Sequence, residues 1–541
     1  MTTFPPQRRV VQATGDWDDM RSRFRWNIPE DFNMAEACCD SWAREEPDRV
    51  ALTHVGEAAS KDWTFGELQV SSDGLAGAFA GHGIGRGDRV GILLAQCPEA
   101  LIAHLATWKR GAISIPLFTL FGPDALEFRL ADSGAVAVVT DAEGAEKIAT
   151  IRDSLPDLRE VFVIGGAPHA RDLWREIAGA MPAVPEDVGA EDPAVIIYTS
   201  GTTGPPKGAL HAHRFLIGHL PNVELHHEGF PKEGDVGWTP ADWAWIGGLM
   251  DMALPCLYHG VRLVSCRMKK FDPDAAFRLI AEQKIRNLFL PPTALKLMRQ
   301  VAVPKDVSIR TIGSGGEALG ADLLDWAKGA LGVTINEFYG QTECNLVIAS
   351  CAGAMPVKPG SMGRAVPGHE VGVIDATGQA VAPGMLGEIA VRRPDPVMFL
   401  GYWNQPEKTT EKFVGDWMRT GDLGTCDADG YFTYVSRDDD VITSAGYRIG
   451  PTEIEICLTG HDDVVMAAVV GVPDPVRGES VKAFVVTRAG VSTEGLAEAL
   501  IARVKARVSP HVAPRTIEFV EALPMTATGK IMRRELRGDR S

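Results

Sequence analysis

Between Tyr198 and Gly208 the sequence reads YTSGTTGPPKG. Besides the tyrosine, Thr199, Ser200, Thr202 and Thr203 supply hydroxyls, Gly201 and Gly204 remove steric bulk, and Lys207 adds a full positive charge. The stretch follows the apolar run AVII and precedes a segment with helical spacing. A strand, a glycine- and hydroxyl-rich turn and then a helix would aim backbone N–H groups and a helix dipole at one anion. A polyphosphate suits that chemistry. The pattern is not the Walker loop, because Lys207 follows Pro206 and precedes Gly208 instead of Ser or Thr.

Other positions carry complementary chemistry. In GSGGEAL, starting at Gly313, Gly315 and Gly316 let backbone approach a flat ring closely. In NEFYGQTE, starting at Asn336, Tyr339 offers an aromatic face. The same block ends in Thr342 and Glu343, a hydroxyl beside a hard carboxylate, suited to phosphate contact and Mg²⁺ coordination. Asp422 in RTGDLG is a short acceptor between glycines, able to take hydrogen bonds from two sugar hydroxyls. Lys530, on the glycine-containing turn TATGK, is a flexible ammonium that could reach another domain's site. Taken one at a time, Glu343 reads as a surface charge, Asp422 as a turn cap and Lys530 as a tail lysine.

The elements that must position these residues follow from pattern. A chain of 541 residues exceeds one ordinary core, so two or more domains are expected. Before Asp192, strand-like runs such as RVGILLA and VAVVT alternate with helical stretches such as EALIAHLATWKRG. The rhythm continues through VRLVSC, NLFLPPTALKLMRQ and IRTIGSGGEALGADLLDWAKGAL, predicting doubly wound α/β layers. From about Ser361, short turn-rich strands predict an antiparallel sheet or small β-barrel, with Asp429-Gly430 turning a hairpin. The last hundred or so residues read as a small α+β unit, with a boundary near Asp438 to Asp440.

Composition excludes several classes. The net charge of −17, from 54 basic and 71 acidic residues, argues against a nucleic-acid-coating protein. Nine scattered cysteines lack metal-type spacing and fit reduced thiols in a cytoplasmic setting. No N-terminal segment combines a basic start with an apolar core, and the greasiest region, Ile246 to Val264, is broken by Asp251, Pro255, His259 and Arg262, so neither a signal peptide nor a membrane span is expected.

Together the blocks YTSGTTGPPKG, GSGGEAL, NEFYGQTE, RTGDLG, YVSRDDDVITSAGYRIGPTEIE and PMTATGK resemble, in order, the signature motifs of the AMP-forming adenylating superfamily, which includes acyl-CoA synthetases, luciferases and peptide-synthetase adenylation domains. The resemblance implies an N-terminal domain, 1–437, that binds ATP and the acyl group, and a mobile C-terminal domain, 438–541, that carries the catalytic lysine. It implies nucleotide contacts at Thr199, Ser200, Gly201, Thr202, Thr203, Gly204, Gly316, Glu317, Ala318, Glu337, Phe338, Tyr339, Thr342, Asp422, Arg437 and Arg448. Glu343 is then the Mg²⁺ ligand, and Lys530, Lys207 and Thr342 form the catalytic set. Asp439 matches the hinge, within one residue because of the RDDD run, and Ala445, Gly446 and Tyr447 match the coenzyme A approach.

The implied reaction has two steps. A carboxylate attacks the α-phosphorus of ATP, releasing pyrophosphate, and the acyl-adenylate then passes its acyl group to coenzyme A. Two anions must meet, so positive charge and positioning carry the first step. One rigid arrangement cannot both cover the carbonyl with Lys530 and open it to a thiol, which is the physical reason for a hinge.

TPADWAWIGGL resembles the acyl-pocket segment of acetyl- and medium-chain synthetases, with Trp243, Trp245 and Ile246 as candidate walls. Gly340 stands where acetate-specific relatives carry tryptophan, implying room for a longer, branched or aryl acid. Two other readings compete: the same fold with a different acceptor, as in carrier-protein modules or luciferases, and a non-catalytic acyl-adenylate or nucleotide sensor. A chain that stops soon after Lys530, without a Ser-Lys-Leu ending, speaks against the first. Joint retention of Lys530, Glu343 and Asp422 speaks against the second. The oligomeric state, homodimer included, is left open.

Overall fold

The computed structural model describes residues 8–12, 15–56, 59–199, 205–437, 440–444, 447–474, 477–526 and 530–538, with the side chains of 447 and 448 excepted. Its strands form three sheets. The first has eight strands, and its parallel centre joins Arg89–Leu93, Ile113–Pro116, Ala137–Thr140 and Glu160–Val163. Helices such as Pro98–Lys109 and Pro123–Ser133 connect them, each with proline in its first turn, where the missing N–H costs nothing. Ile113–Pro116 and Ala137–Thr140 are buried at every position, as strands covered on both faces must be.

In this sheet the strand Pro193–Thr199 leads into an antiparallel partner, Lys207–Ala212, which pairs Tyr198 with Gly208 and Thr199 with Lys207. The helix Phe215–His226 begins only afterwards. The expected strand, turn and helix are therefore corrected to a strand hairpin followed by a helix. KGALHA pairs with Pro193–Thr199 and continues the sheet, so a helix N-terminus does not stand directly behind the polar loop.

The second sheet has fourteen strands and two characters. Parallel pairing runs from Val50–Val55 through Arg262–Cys266, Val236–Trp238, Asn287–Phe289 and Thr311–Ser314 to Ile335–Gln341. From there pairing is antiparallel, through Cys344–Ala349, Gly363–Ala365, Tyr431–Arg437, Trp417–Cys426, Gly387–Arg392 and Val371–Ile374. The turn-rich strands thus extend the parallel layer as an open antiparallel half. Among the described residues no pairing closes them into the small barrel expected, because their edge strand Val371–Ile374 pairs with no named strand other than Gly387–Arg392. The Asp429-Gly430 hairpin is present, with Gly430 at φ 83° and the Asp427 carboxylate accepting from the amides of Asp429 and Tyr431 at 2.9 Å each.

The third sheet draws all five strands from residues 442–519 and adds the helices Pro451–Thr459 and Leu496–Arg507. It has its own core, around Ile454, Leu458, Val469, Val485, Leu500 and Val504. All nine cysteines are free. Among the described residues no helix is long and apolar enough to cross a membrane.

Candidate active site

Where the second sheet changes from parallel to antiparallel, the strand Ile335–Gln341 borders a cleft of about 1870 Å³. One wall comes from the ends of Pro193–Thr199 and Lys207–Ala212, another from residues 316–323, and a third from the third sheet and the segment 524–538. Open α/β sheets collect ligands beyond the carboxyl ends of their parallel strands, and Gly316 and Thr342 follow two such ends.

Tyr339 donates its hydroxyl proton to Asp422 Oδ2 at 2.6 Å, and both groups are buried. Gln341 Nε2 donates to the Thr420 carbonyl at 3.0 Å, while Arg437 Nη1 stands 3.8 Å from Asp422 Oδ1. Strand register explains the pairing: Asp422 lies directly opposite Arg437 in the hairpin of Trp417–Cys426 with Tyr431–Arg437. Burial raises the Asp422 pKa, opposed by the Arg437 charge and the Tyr339 hydrogen bond.

Thr342 and Glu343 occupy the two-residue turn between the paired Gln341 and Cys344, so both sit at a hairpin tip pointing into the cleft. The Tyr402 hydroxyl donates to Glu343 Oε1, and the Glu343 carbonyl accepts from Phe399 N at 2.9 Å. Lys207 Nζ lies 4.8 Å from the centre of the Tyr402 ring, a cation over an aromatic face. Burial lowers the Lys207 pKa, Glu343 opposes that change, and Lys412 and Lys408 reinforce it.

Lys530 enters the same cleft from the other end of the chain. Its side chain is open to water there, yet protein encloses the cleft, and this crowding lowers its pKa; Asp422, Glu317 and Glu343 pull it up and Arg437 pushes it down. Solvent access tempers the lowering without changing its direction. A basic residue near the C-terminus is thus held among the groups that the distant motifs supply.

Gly316, Glu317, Ala318, Glu337 and Phe338 line the opposite side. Gly316 adopts φ 91°, a conformation that favours glycine, and a Cβ there would stand 3.3 Å from the Trp245 ring. Glu317 accepts from the Thr293 hydroxyl at 2.7 Å. Glu337 is buried, with the Leu319 amide at 3.4 Å, and burial pushes its carboxyl up to about 8.

Of the candidate acyl-pocket residues, Trp245 and Gly340 line the cleft. Trp245 packs against Phe289, with ring centroids 5.6 Å apart, and Phe289 against Phe338 at 5.4 Å. Trp243 and Ile246 are instead buried in the main core, away from the cleft lining. Gly340 has a local reason to be glycine, since a Cβ would fall 2.3 Å from Leu346 N and 2.7 Å from Asn345 Cα.

Thr199 is half-buried at its strand end, its hydroxyl 3.4 Å from the Lys207 carbonyl. Ser200, Gly201, Thr202, Thr203, Gly204, Asp439, Ala445 and Gly446 lie outside the described residues, as do the side chains of Tyr447 and Arg448, whose backbone pairs with Ser444 and Thr443. Sequence reasoning missed Tyr402 and Lys412, whose ammonium donates to Gln341 Oε1 at 3.1 Å. It also passed over Gln341, although that residue stands inside the NEFYGQTE block. Nothing local to GYW marks Tyr402 as the partner of a glutamate 59 residues earlier.

Residues 39–403 match the model of the AMP-binding enzyme family, and residues 453–530 match that of the AMP-binding enzyme C-terminal domain. The human mitochondrial acyl-coenzyme A synthetase ACSM4 is 35% identical over 99% of this chain and 96% of its own length. The acetyl-coenzyme A synthetase of Bacillus subtilis is 33% identical over 96% of this chain and 93% of its own. The crystal structure of the anthranilate CoA ligase AuaEII in complex with anthranoyl-AMP superposes with a TM-score of 0.87 at 29% identity, covering 94% of this chain and 98% of that one. With family models matching residues 39–403 and 453–530 and a relative alike over nearly the whole sequence, the chain belongs to the AMP-binding enzyme family of adenylate-forming ligases.

Proposed function

We propose that the protein joins a short- to medium-chain, branched or substituted carboxylic acid to coenzyme A, using ATP and releasing AMP and pyrophosphate. The carrying observation is that Lys530, Lys207, Glu343 and Asp422, drawn from four separate motifs, line one cleft. A sensor has no evident need for the tail lysine in that company.

Each residue then has a chemical role. The polar loop Thr199 to Gly204, with Lys207, takes the triphosphate, and Thr342 adds a hydroxyl. Gly316, Glu317, Ala318, Glu337, Phe338 and Tyr339 border the base, with Asp422 and Arg437 on the ribose. Glu343 is suited to Mg²⁺, which commonly binds proteins through one or two carboxylates and completes its shell with water and substrate phosphates. When bound, that ion would offset phosphate charge.

The acid's oxygen attacks the α-phosphorus in line, and pyrophosphate leaves. Lys530 and Arg448 supply positive charge where two anions approach, so the barrier falls through positioning and electrostatics. For thioester formation the C-terminal domain, beginning at 438, turns about Asp439. That motion withdraws Lys530 and brings Ala445, Gly446 and Tyr447 toward the pantetheine arm. Trp245 and Phe338 line the acyl side, and the nine free cysteines suit a reducing, cytoplasmic setting.

The test is pyrophosphate exchange into ATP, followed by CoA-dependent AMP release. It is run with acids from acetate to octanoate and with branched, thioether and aromatic examples. Acid-dependent exchange with CoA-dependent AMP release is expected. ATP binding without exchange on any acid would replace this reading with that of a sensor, and exchange without CoA dependence would point to another acceptor.

A further inference from the structure

Beneath the hairpin tip lies a buried polar network that the chemistry above does not use. The helix Phe215–His226 places His219, Asn222 and His226 at spacings of three and four residues, and so on one face. All three are fully buried. Asn222 Nδ2 donates to the carbonyls of Leu346 at 2.7 Å and Ile348 at 3.2 Å, and its Oδ1 accepts from His226 Nδ1 at 2.8 Å. His219 Nδ1 donates to the Phe215 carbonyl at 2.7 Å, which leaves Nε2 as an acceptor for Asn345 Nδ2 at 3.1 Å. The same Asn345 nitrogen donates to Asp251 Oδ1 at 2.6 Å.

The residue held between these anchors is unusual. Leu346 is fully buried and adopts φ 58°, a left-handed conformation in which a leucine's Cβ crowds the following carbonyl. Its backbone folds so closely over Gly340 that no Cβ fits there. Thr342 and Glu343 form the turn between these two positions. Strain of this sort persists only where the surroundings over-determine it.

We propose that Asn222 and Asn345 are positioning residues for the nucleotide step. By holding Leu346 in its left-handed conformation they fix the hairpin whose tip presents Thr342 and Glu343. The proposal rests on the nucleotide reading of that tip.

It is tested by calorimetric titration of ATP with Mg²⁺, without acid, into the wild type, Asn222→Ala, Leu346→Gly and the double variant, with thermal denaturation of each. Asn222→Ala should weaken ATP binding by about tenfold, the worth of a buried hydrogen bond. Glycine adopts the left-handed conformation unaided, so adding Leu346→Gly should restore ATP binding to within about threefold of wild type. It should do so while melting no higher than Asn222→Ala, because buried leucine contacts are lost. If Asn222→Ala does not fold, Asn222→Ser, which keeps a donor on a shorter arm, goes through the same comparison. A merely structural role predicts the reverse, with binding in the double variant falling as stability falls, and that result overturns the proposal. So does unchanged ATP affinity in Asn222→Ala when the wild type binds. No ATP binding by the wild type would overturn the functional reading itself.

Discussion

The Tyr339 hydroxyl and the Asp422 carboxylate meet at 2.6 Å, joining the strand where the large sheet changes direction to the hairpin that carries Arg437. This bond orients a buried carboxylate whose pKa burial has raised. Tyr339→Phe keeps the ring but removes the donor. The KM for ATP in pyrophosphate exchange should rise about tenfold, in line with a hydrogen bond to a charged group. An unchanged KM would mean that Asp422 is oriented by other contacts.

Lys530→Ala should lower acid-dependent exchange on the order of 100- to 1,000-fold, as when one preorganised charge is lost from a transition state. Because Lys530 is solvent-accessible, thermal stability should barely change. On the proposed two-step reading, thioester formation from a supplied acyl-adenylate should survive. The pH dependence has a definite sign. The ammonium's pKa is lowered, so exchange should decline with rising pH below the usual lysine range. Lys530→Arg, which keeps its charge, should move that decline to higher pH; a decline at the same pH in both proteins would assign it to another group.

Glu337 links pH to stability. Its carboxyl titrates near 8 in the fold against 4.5 for the free group, so between those values the native state holds a proton that the unfolded chain has released. Stability contributed at this site is therefore present below about pH 4.5, falls as pH rises to about 8 and is then level. Glu337→Gln keeps an acceptor for the Leu319 amide and has no proton to lose. Its melting temperature should exceed that of the wild type by several degrees at pH 8.5 and converge with it toward pH 5. Parallel melting curves across that range would refute the assignment.

Gly340→Ala tests whether glycine is there for the acid or for the backbone. A methyl group would fall 2.3 Å from Leu346 N, so the hairpin must shift. Overpacking of this kind typically costs about 1–3 kcal/mol. Exchange should drop for every acid, short chains included. A selective loss of long or aryl acids with an unchanged melting temperature would restore the simpler view of Gly340 as an open pocket end.

Much of the architecture is legible from residue pattern because apolar period and turn residues act locally. RVGILLA, VAVVT and VRLVSC become strands, and Asp429-Gly430 turns a hairpin. KGALHA reads poorly because six residues after a proline carry too little periodicity to reveal that they pair backwards with Pro193–Thr199. The barrel expectation fails for a related reason: alternation marks antiparallel strands but does not say whether their edges meet. At the site, Tyr339, Glu343, Asp422 and Lys530 are legible from motifs and converge on one cleft. Trp243 and Ile246 are not separable from Trp245 by sequence, because neighbouring residues of an apolar run differ only in which way the backbone turns them. Tyr402 and Asn222 are not legible, since each acts through side-chain bonds to residues far off in the sequence.

The segment 524–538 forms one wall of the cleft and sets Lys530 beside Asp422 and Arg437. Its consequence is one of timing. On the proposed reading, the mixed anhydride forms beside this wall, and the wall must leave before a thiol can reach it. Its loss to hydrolysis should then rise with the rate at which the tail leaves the cleft.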